Sequence, residues 1–545
     1  MYFSLYFQTL KTLVFFSFFI TILNSNHLLA QKKIIKIIPN DSAHQKIIDN
    51  IFPKELKAKN NHNYLKDSIS EALKNYGYFY HKLDSIKEIE NKKLFYINLG
   101  KQIDSVRIST SDKNITLHIS ELKSFLQKVN DNLEKKGKSF SKTKLTNIQL
   151  NKNILKAKLT IHTSQKRTLD RIIIKGYDKF PKSYLRHYLR IKNKPVFNKD
   201  LINQISQNLK GIPFVNEIRN PEILFSKDST VVYLYLEKIK NSSFDGLLNF
   251  SSDDNFSISG NINLELNNIL NTGESFNLNW NSSADDRQNL NLKTFIPYLF
   301  NSPISNQTYF EIYRQDSTFL NSKLNTSLLY DFNPKTKIGV SFETQTSTNT
   351  LTEINNSISN FSSSFIGLLF SFKSLRKNLF NEPKFTFQIQ SLLGSRTDDM
   401  DAVQNQIKLN FSGSYTYNLN QKNAIYIRNE SNFLFSNNFL LNETYRFGGA
   451  NSFRGVDQQS ILSSKYSFVN IEYRLLTSNN SYLYSISDIG VSQNISKKTE
   501  HLFSYGLGYS YIRKRTNINI SISKSNQKNN SNNGLNLAIT FKNYF

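Results

Sequence analysis

GLNLAITFKNYF closes the chain at residues 534–545. Leu535, Leu537, Ile539 and Phe541 alternate with Asn536, Ala538, Thr540 and Lys542, and the run ends on an aromatic, Phe545. A period of two belongs to a strand with one apolar and one polar face. The same period recurs upstream. TNINISIS alternates through Ile518, Ile520 and Ile522, KFTFQIQ through Phe385, Phe387 and Ile389, and ESFNLNW through Phe276, Leu278 and Trp280. FSISGNINLEL alternates through Phe256, Ile258, Ile262, Leu264 and Leu266, with Gly260 in register. Asn, Ser, Thr and Gln fill the intervening positions, which suits a wet interior. The pattern alone fits a soluble sandwich or solenoid as well as a transmembrane barrel.

Three features favour the barrel. The strand signals run from Phe244 to the end, aromatics make up 13% of the chain, and the amino terminus carries an export pattern. In KTLVFFSFFITIL, Lys11 precedes an apolar stretch from Thr12 to Leu23, followed by LLAQ. That order predicts a signal peptide over residues 1–30, cleaved after Ala30. A retained anchor is the alternative, but the stretch falls short of the roughly 20 residues that span a bilayer. At about 19 residues per strand and turn, residues 243–545 predict about 16 antiparallel strands, with aromatics available for girdles at the two interfaces. The chain has no Cys, which excludes a disulfide framework and thiolate metal sites.

Charge divides the sequence. Of the formal +27, residues 31–240 carry +22, from 42 Lys and Arg against 20 Asp and Glu. In an exported protein such a surface points to anionic lipid headgroups or acidic unfolded clients rather than nucleic acid; a merely solvated lysine-rich surface is the alternative.

Residues 34–240 read as three small α/β units. In the third, LDRIIIKGYDKF gives a strand ending at Gly176, PKSYLRHYLRI a helix with Pro181 in its first turn, and NKDLINQISQNLKG a helix capped by Asn198 with Leu201, Ile202, Ile205 and Leu209 on one face. Two strands follow. The middle unit has a strand at SVRIST, a helical stripe of Leu122, Phe125, Leu126, Val129 and Leu133, and a strand pair; the first has the stripe Leu65, Ile69, Leu73, Tyr76 before its strands. This order, β-α-α-β-β, resembles the POTRA domain, most clearly over 166–240 and less closely over 34–101 and 102–165. The resemblance implies periplasmic units that dock extended polypeptide by strand addition, with a spacer role as the alternative.

POTRA-like units before a barrel resemble the BamA/TamA superfamily of outer-membrane assembly and translocation proteins. Five landmarks stand in family order: NILNTGESFNLNW, FIPYLFNSPI, YRFGGANSFRGV, VNIEYRLL and YSISDIGVS. The resemblance implies that the segment around Gly448, Gly449, Arg454 and Gly455 tips a loop folded back into the lumen. It further implies that Arg454 pairs with Asp488 of a D-x-G strand completed by Gly490. Val456 stands where the family usually has an aromatic. The resemblance also implies a lateral seam between the strand around Phe244 and the one at Leu535, Leu537, Ile539 and Phe541, with Phe545 as the aromatic insertion signal. Three units look more like TamA than BamA.

The expected role is a non-enzymatic insertase or translocation module in the outer membrane, with its α/β units in the periplasm. Its expected partners are the bilayer, unfolded outer-membrane or exported proteins, and periplasmic accessory proteins, with no nucleic acid and no cofactor. GKS at Gly137–Ser139 lacks the earlier glycine of a phosphate loop, no G-x-S-x-G or H-E-x-x-H is present, and the eight histidines show no metal-ligand spacing. The rivals are a two-partner-secretion-type transporter of one exported protein and a passive porin-like channel.

Overall fold

The computed structural model describes residues 34–545 except 53–55, 58–61, 90–91, 112, 192, 252–256, 283–286, 352–356, 376, 381, 514 and 528–534. The expected signal peptide, residues 1–30, lies outside the described residues. The chain divides into two compact parts, Met1–Lys166 and Arg167–Phe545.

The first part contains two α/β units. In the first, Ile34–Pro39 lies between Leu56–Lys57 and Lys92–Asn98, with Lys82–Ile89 at the far edge. Ile34–Pro39 runs parallel to Lys92–Asn98, so the helices Gln45–Ile51 and His62–Asn75 make the crossover between them. Ile69 and Leu73 bury against Ile35, Ile37, Phe95 and Ile97. Tyr76 lies past the helix end and is exposed, and Tyr78 takes the buried place instead. The second unit departs from the two-helix plan. Asn114–His118 pairs antiparallel with Ser105–Ser109 where a first helix was expected. Too few residues separate that strand from the helix Leu122–Lys135 to fit another helix, and alternating Ile115 and Leu117 suit a strand.

The second part opens with the third unit, where Arg171–Lys175 runs parallel to Thr230–Lys238, itself paired with Val215–Phe225. Asn198 caps the helix Lys199–Leu209 by accepting from the Leu201 N–H at 2.7 Å. The helix expected at PKSYLRHYLRI is short and closes with a π turn over Tyr184–Tyr188.

Sixteen strands, from Ser243–Ser251 to Asn536–Tyr544, then form a closed antiparallel barrel. Closure pairs backbone groups around the ring, the condition for a sheet to cross lipid. Thr499–Arg513 shows the division of faces. Phe503, Tyr505, Leu507 and Tyr509 point outward and are exposed, while Leu502, Ser504 and Ser510 are buried inside. Leu328, Val340, Ile366, Leu368, Leu393 and Ile489 extend the outer apolar surface on other strands, too broad to be left against water.

The third unit is seated on the barrel's turns. Tyr184 packs edge-on to Tyr298 with ring centroids 5.0 Å apart, and its hydroxyl donates to the Gly273 carbonyl. His187 stacks on Tyr298 and bonds the Asn301 carbonyl at 2.8 Å. Asn268 donates to the Tyr177 hydroxyl, which donates to Asn271 Oδ1. Gly273, at φ +84°, has no room for a side chain: a Cβ there would stand 2.3 Å from the Tyr184 ring. Two of the sequence landmarks, NILNTGESF and FIPYLF, therefore form the socket for the third unit. Burial raises the Tyr184 and Tyr298 hydroxyls above the ordinary tyrosine range, so both stay neutral.

Candidate functional site: the lumen lock and the barrel seam

Residues 436–464 connect the strands Asn423–Phe435 and Lys465–Ser478. Their contacts reach several parts of the inner wall. Asn289 donates to Gln459 Oε1 at 2.8 Å, the Arg446 guanidinium lies 3.9 Å over the Tyr313 ring, and Arg428 donates to the Asn451 carbonyl at 2.7 Å. The connection thus occupies the lumen, stiffened by a short hairpin of Tyr445–Phe447 against Ile461–Ser463.

Three glycines shape its tip. Gly448 and Gly449 adopt φ +117° and +100°, where side chains are strained. Gly455, at φ +80°, presses on the strand Thr516–Ser525: a Cβ there would lie 2.8 Å from the Lys524 carbonyl carbon and the Ser525 nitrogen. The tip therefore rests on the strand next to the last one in the ring.

Between the glycines, Arg454 meets Asp488. Its backbone N–H and its Nε both donate to Asp488 Oδ2 at 2.9 Å, and a terminal nitrogen donates to Oδ1. That is a two-pronged grip plus a backbone bond, which fixes orientation as well as charge. Asp488 is fully buried and Arg454 nearly so. The lock is larger than a pair. The other terminal nitrogen of Arg454 binds Glu472, whose second oxygen accepts from Arg474 Nε at 2.8 Å, and Arg474 also reaches Glu382 at 2.8 Å. Arg474 lies 3.9 Å over the Tyr426 ring. Two guanidiniums and three carboxylates compensate one another where an unpaired charge would be costly.

Apolar packing completes the tip. Phe453, Val456, Phe447, Tyr466, Phe468 and Leu502 form one buried cluster, with Phe447 and Tyr466 stacked 4.1 Å apart. Val456 is fully buried, and Phe453, on the other side of Arg454, supplies the aromatic bulk. Gly490 sits opposite Phe468 in the register, and a Cβ there would stand 2.7 Å from the Phe468 Cβ.

Glu472, Arg474 and Phe453 were not singled out from the sequence. The signal for the first two lay in VNIEYRLL, where Asn470, Glu472 and Arg474 alternate with Ile471, Tyr473 and Leu475: two opposite charges on the inner face of one strand. A second buried clasp was also missed. Arg396 donates to Glu443 Oε1 at 2.6 Å and Gln406 donates to Glu443 Oε2 at 2.9 Å, tying the start of the loop to the wall.

The ring closes weakly in one place. The strand Ser243–Ser251 pairs with its inner neighbour from Ser243↔Glu265 to Ser251↔Ser257, and Asn536–Tyr544 pairs with its own from Thr516↔Asn543 to Ser523↔Asn536. Between these two strands, among the described residues, the register joins Ser243 to Tyr544 and Phe244 to Asn543 and no others. One further bond runs from the Phe545 N–H to the Ser242 carbonyl at 2.9 Å. Phe244, Leu535, Leu537, Ile539, Phe541 and Phe545 are all exposed along this joint. A cavity of about 290 Å³ lies between the lock and the inner face of the last strand, lined by Arg454, Arg474, Thr540 and Lys542 among others. Among the described residues, no cluster of three or more His, Cys, Asp or Glu is placed to hold a metal ion.

Among solved structures, CdiB from Escherichia coli matches 89% of this chain and 97% of its own at 14% identity, with a TM-score of 0.52. The chain has the CdiB fold. CdiB from Acinetobacter baumannii matches 79% of this chain and 83% of its own at 16% identity and a TM-score of 0.50. BamA from Haemophilus ducreyi lacking POTRA domains 1-3 matches 77% of this chain and 92% of its own at 15% identity and a TM-score of 0.45. No family model matches the sequence, and neither does any curated protein sequence. What this chain shares with CdiB from Escherichia coli is the architecture: α/β units followed by a closed barrel, here of 16 strands.

Proposed function

We propose that this chain is an outer-membrane insertion or translocation protein. Its α/β units, in the periplasm, receive unfolded outer-membrane or exported polypeptide, and periplasmic accessory proteins share that surface. The barrel then offers the edges of Ser243–Ser251 and Asn536–Tyr544 as templates for client strands. The observation that carries this reading is the joint of two residue pairs in a ring otherwise paired along its strands. Opening it exposes unpaired backbone edges that a client strand can satisfy. The client's own folding supplies the free energy, so the proposal requires no enzyme, cofactor or nucleotide. The Arg454 lock holds the loop tip against the wall near the seam and sets the lumen side of that opening.

A second reading is a transporter that passes one exported protein through the lumen, and the polar cavities around the loop favour it. One of about 240 Å³ is lined by Lys323 and Lys408 of the wall and by Glu443 and Arg446 of the loop among others, so displacing the loop would open an aqueous path. A porin-like channel has no use for a lock of four buried charges, Arg454, Asp488, Glu472 and Arg474, on a re-entrant loop.

The deciding experiment depletes the protein in its own host and quantifies folded barrels by their shift on unheated gels. A joint fall of many unrelated barrels supports the insertase. Loss of a single exported protein from the medium with barrels intact supports the transporter, and no change in either sinks both.

A further inference from the structure

A cleft of about 1120 Å³ lies between the third α/β unit and the barrel turns at Asn333, Pro334 and Lys335 and at Ser374, Leu375 and Lys377. Its charges are one-sided: Arg190, Lys210, Lys335 and Lys377 line it against the single carboxylate of Glu217. The Arg190 guanidinium is held by the Phe332 carbonyl, whereas none of the three lysine ammonium groups has an ion-pair partner among the described residues. Beside them Asn208, also lining the cleft, is more than nine-tenths buried, and its Nδ2 donor has no partner. A buried amide donor left unpaired next to converging cations is costly unless an acceptor enters. Phe372, Leu375 and Val215 give the same cleft an apolar side, and next to the turn at 333–335 Tyr330 and Phe332 are exposed on the barrel's outer surface.

We infer that this cleft binds the phosphate headgroup of an anionic phospholipid, with the lysines and the Asn208 amide on the phosphate and the acyl chains lying over Phe332 and its neighbours. The inference rests on the reading of the barrel as membrane-spanning. That position favours a lipid over free phosphate, because the cleft stands at the end of the barrel wall where headgroups meet the apolar belt. A lipid held there would bridge the barrel and the third unit, so local lipid composition would affect how firmly that unit is seated.

The test inserts the full chain into phosphatidylcholine vesicles carrying a minority of phosphatidylglycerol. Insertion is read first, from the shift on unheated gels; retained lipid is then identified by native mass spectrometry in a zwitterionic detergent. We expect wild type to keep phosphatidylglycerol in preference to phosphatidylcholine. At the usual contribution of a lysine near an anionic surface, each single Lys→Gln change at 210, 335 or 377 weakens retention about fivefold and the triple variant about a hundredfold. Lys142→Gln, Lys144→Gln and Lys156→Gln together should leave retention unchanged. Inserted wild type without lipid preference, a triple variant that inserts and retains lipid as well as wild type, or displacement of the lipid by inorganic phosphate would each overturn the inference. Failure of wild type to insert would overturn the membrane reading and this inference with it.

Discussion

Arg454 has both carboxylates it binds, Asp488 and Glu472, on strands of the wall, so shortening it leaves two buried negative charges with Arg474 alone to balance them. Breaking a buried pair costs about 3–5 kcal/mol, and a partly wet lumen reduces this to about 2–3 kcal/mol for Arg454→Ala. Urea titration followed on unheated gels should show that loss. Asp488→Asn should cost less, because it keeps an acceptor oxygen, and Arg454→Lys should fall between, because an ammonium cannot make the paired bonds. An Arg454→Ala midpoint equal to wild type would remove the lock from the account. Gly455→Val tests the tip independently of charge. A β-branched residue at φ +80°, with its Cβ against the Lys524–Ser525 backbone, must lift the tip from the wall. Proteolysis within residues 448–459 should then become measurable in the folded barrel. The Arg454–Asp488 partnership was legible only through the family resemblance, since spacing does not tell one aspartate from another. Glu472 and Arg474 were legible in principle, because charge on an otherwise apolar alternating strand has to face the lumen.

At the scale of elements, the seam gives the sharpest prediction. Ser243 and Tyr544 are register partners, and the chain has no native cysteine to compete. Ser243→Cys with Tyr544→Cys should form a disulfide under oxidising conditions in a fully folded barrel. If clients are templated at this joint, the oxidised protein fails to complement depletion and reductant restores it; full activity in the locked form would exclude lateral opening. The strands themselves were readable because lipid outside and water inside impose a strict alternation, and length with a typical repeat predicted their number. The α/β units were less readable. The second one uses Asn114–His118 as an edge strand where the β-α-α-β-β order predicts a helix, and short apolar runs carry too little periodicity to separate the two. The weakness of the seam was not legible either: Leu535 to Phe541 alternate as regularly as any other strand, and pairing depends on Ser243 and Phe244, far upstream in the chain.

For the whole molecule, the seat of the third unit turns on Gly273 and Glu274. Gly273→Val places atoms inside the Tyr184 ring and should unseat the unit while leaving the barrel closed. Spin labels on the third unit and on the barrel should then report a broadened distance distribution, whereas an unchanged narrow one would show that the socket is not what holds the unit. The same turn predicts a pH response. Partial burial raises the Glu274 carboxyl, but hydrogen bonds from the Thr272 hydroxyl and from the backbone N–H groups of Leu270 and Thr272 outweigh it and hold the group below its ordinary value. A depressed carboxylate stabilises the folded state above its unfolded pKa, about 4.3, and that contribution fades as pH falls through the lower folded value. The socket should therefore loosen in acid, and Glu274→Gln at neutral pH should behave as wild type does in acid, by the same spin-label measurement. A Glu274→Gln socket as tight as wild type at every pH would refute this.

The two closures of this barrel also differ in when they can form. Arg454 and Asp488 are 34 residues apart in the chain, so the lock can assemble as soon as two neighbouring strands pair. The joint depends on Ser243 meeting Tyr544, and the ion pair beside it spans 277 residues, from Glu265 to Lys542. Contacts between such distant segments form late. A sheet that holds its loop through the lock before Ser243 meets Tyr544 is an open crescent, and docking of the strand Asn536–Tyr544 turns that crescent into a ring.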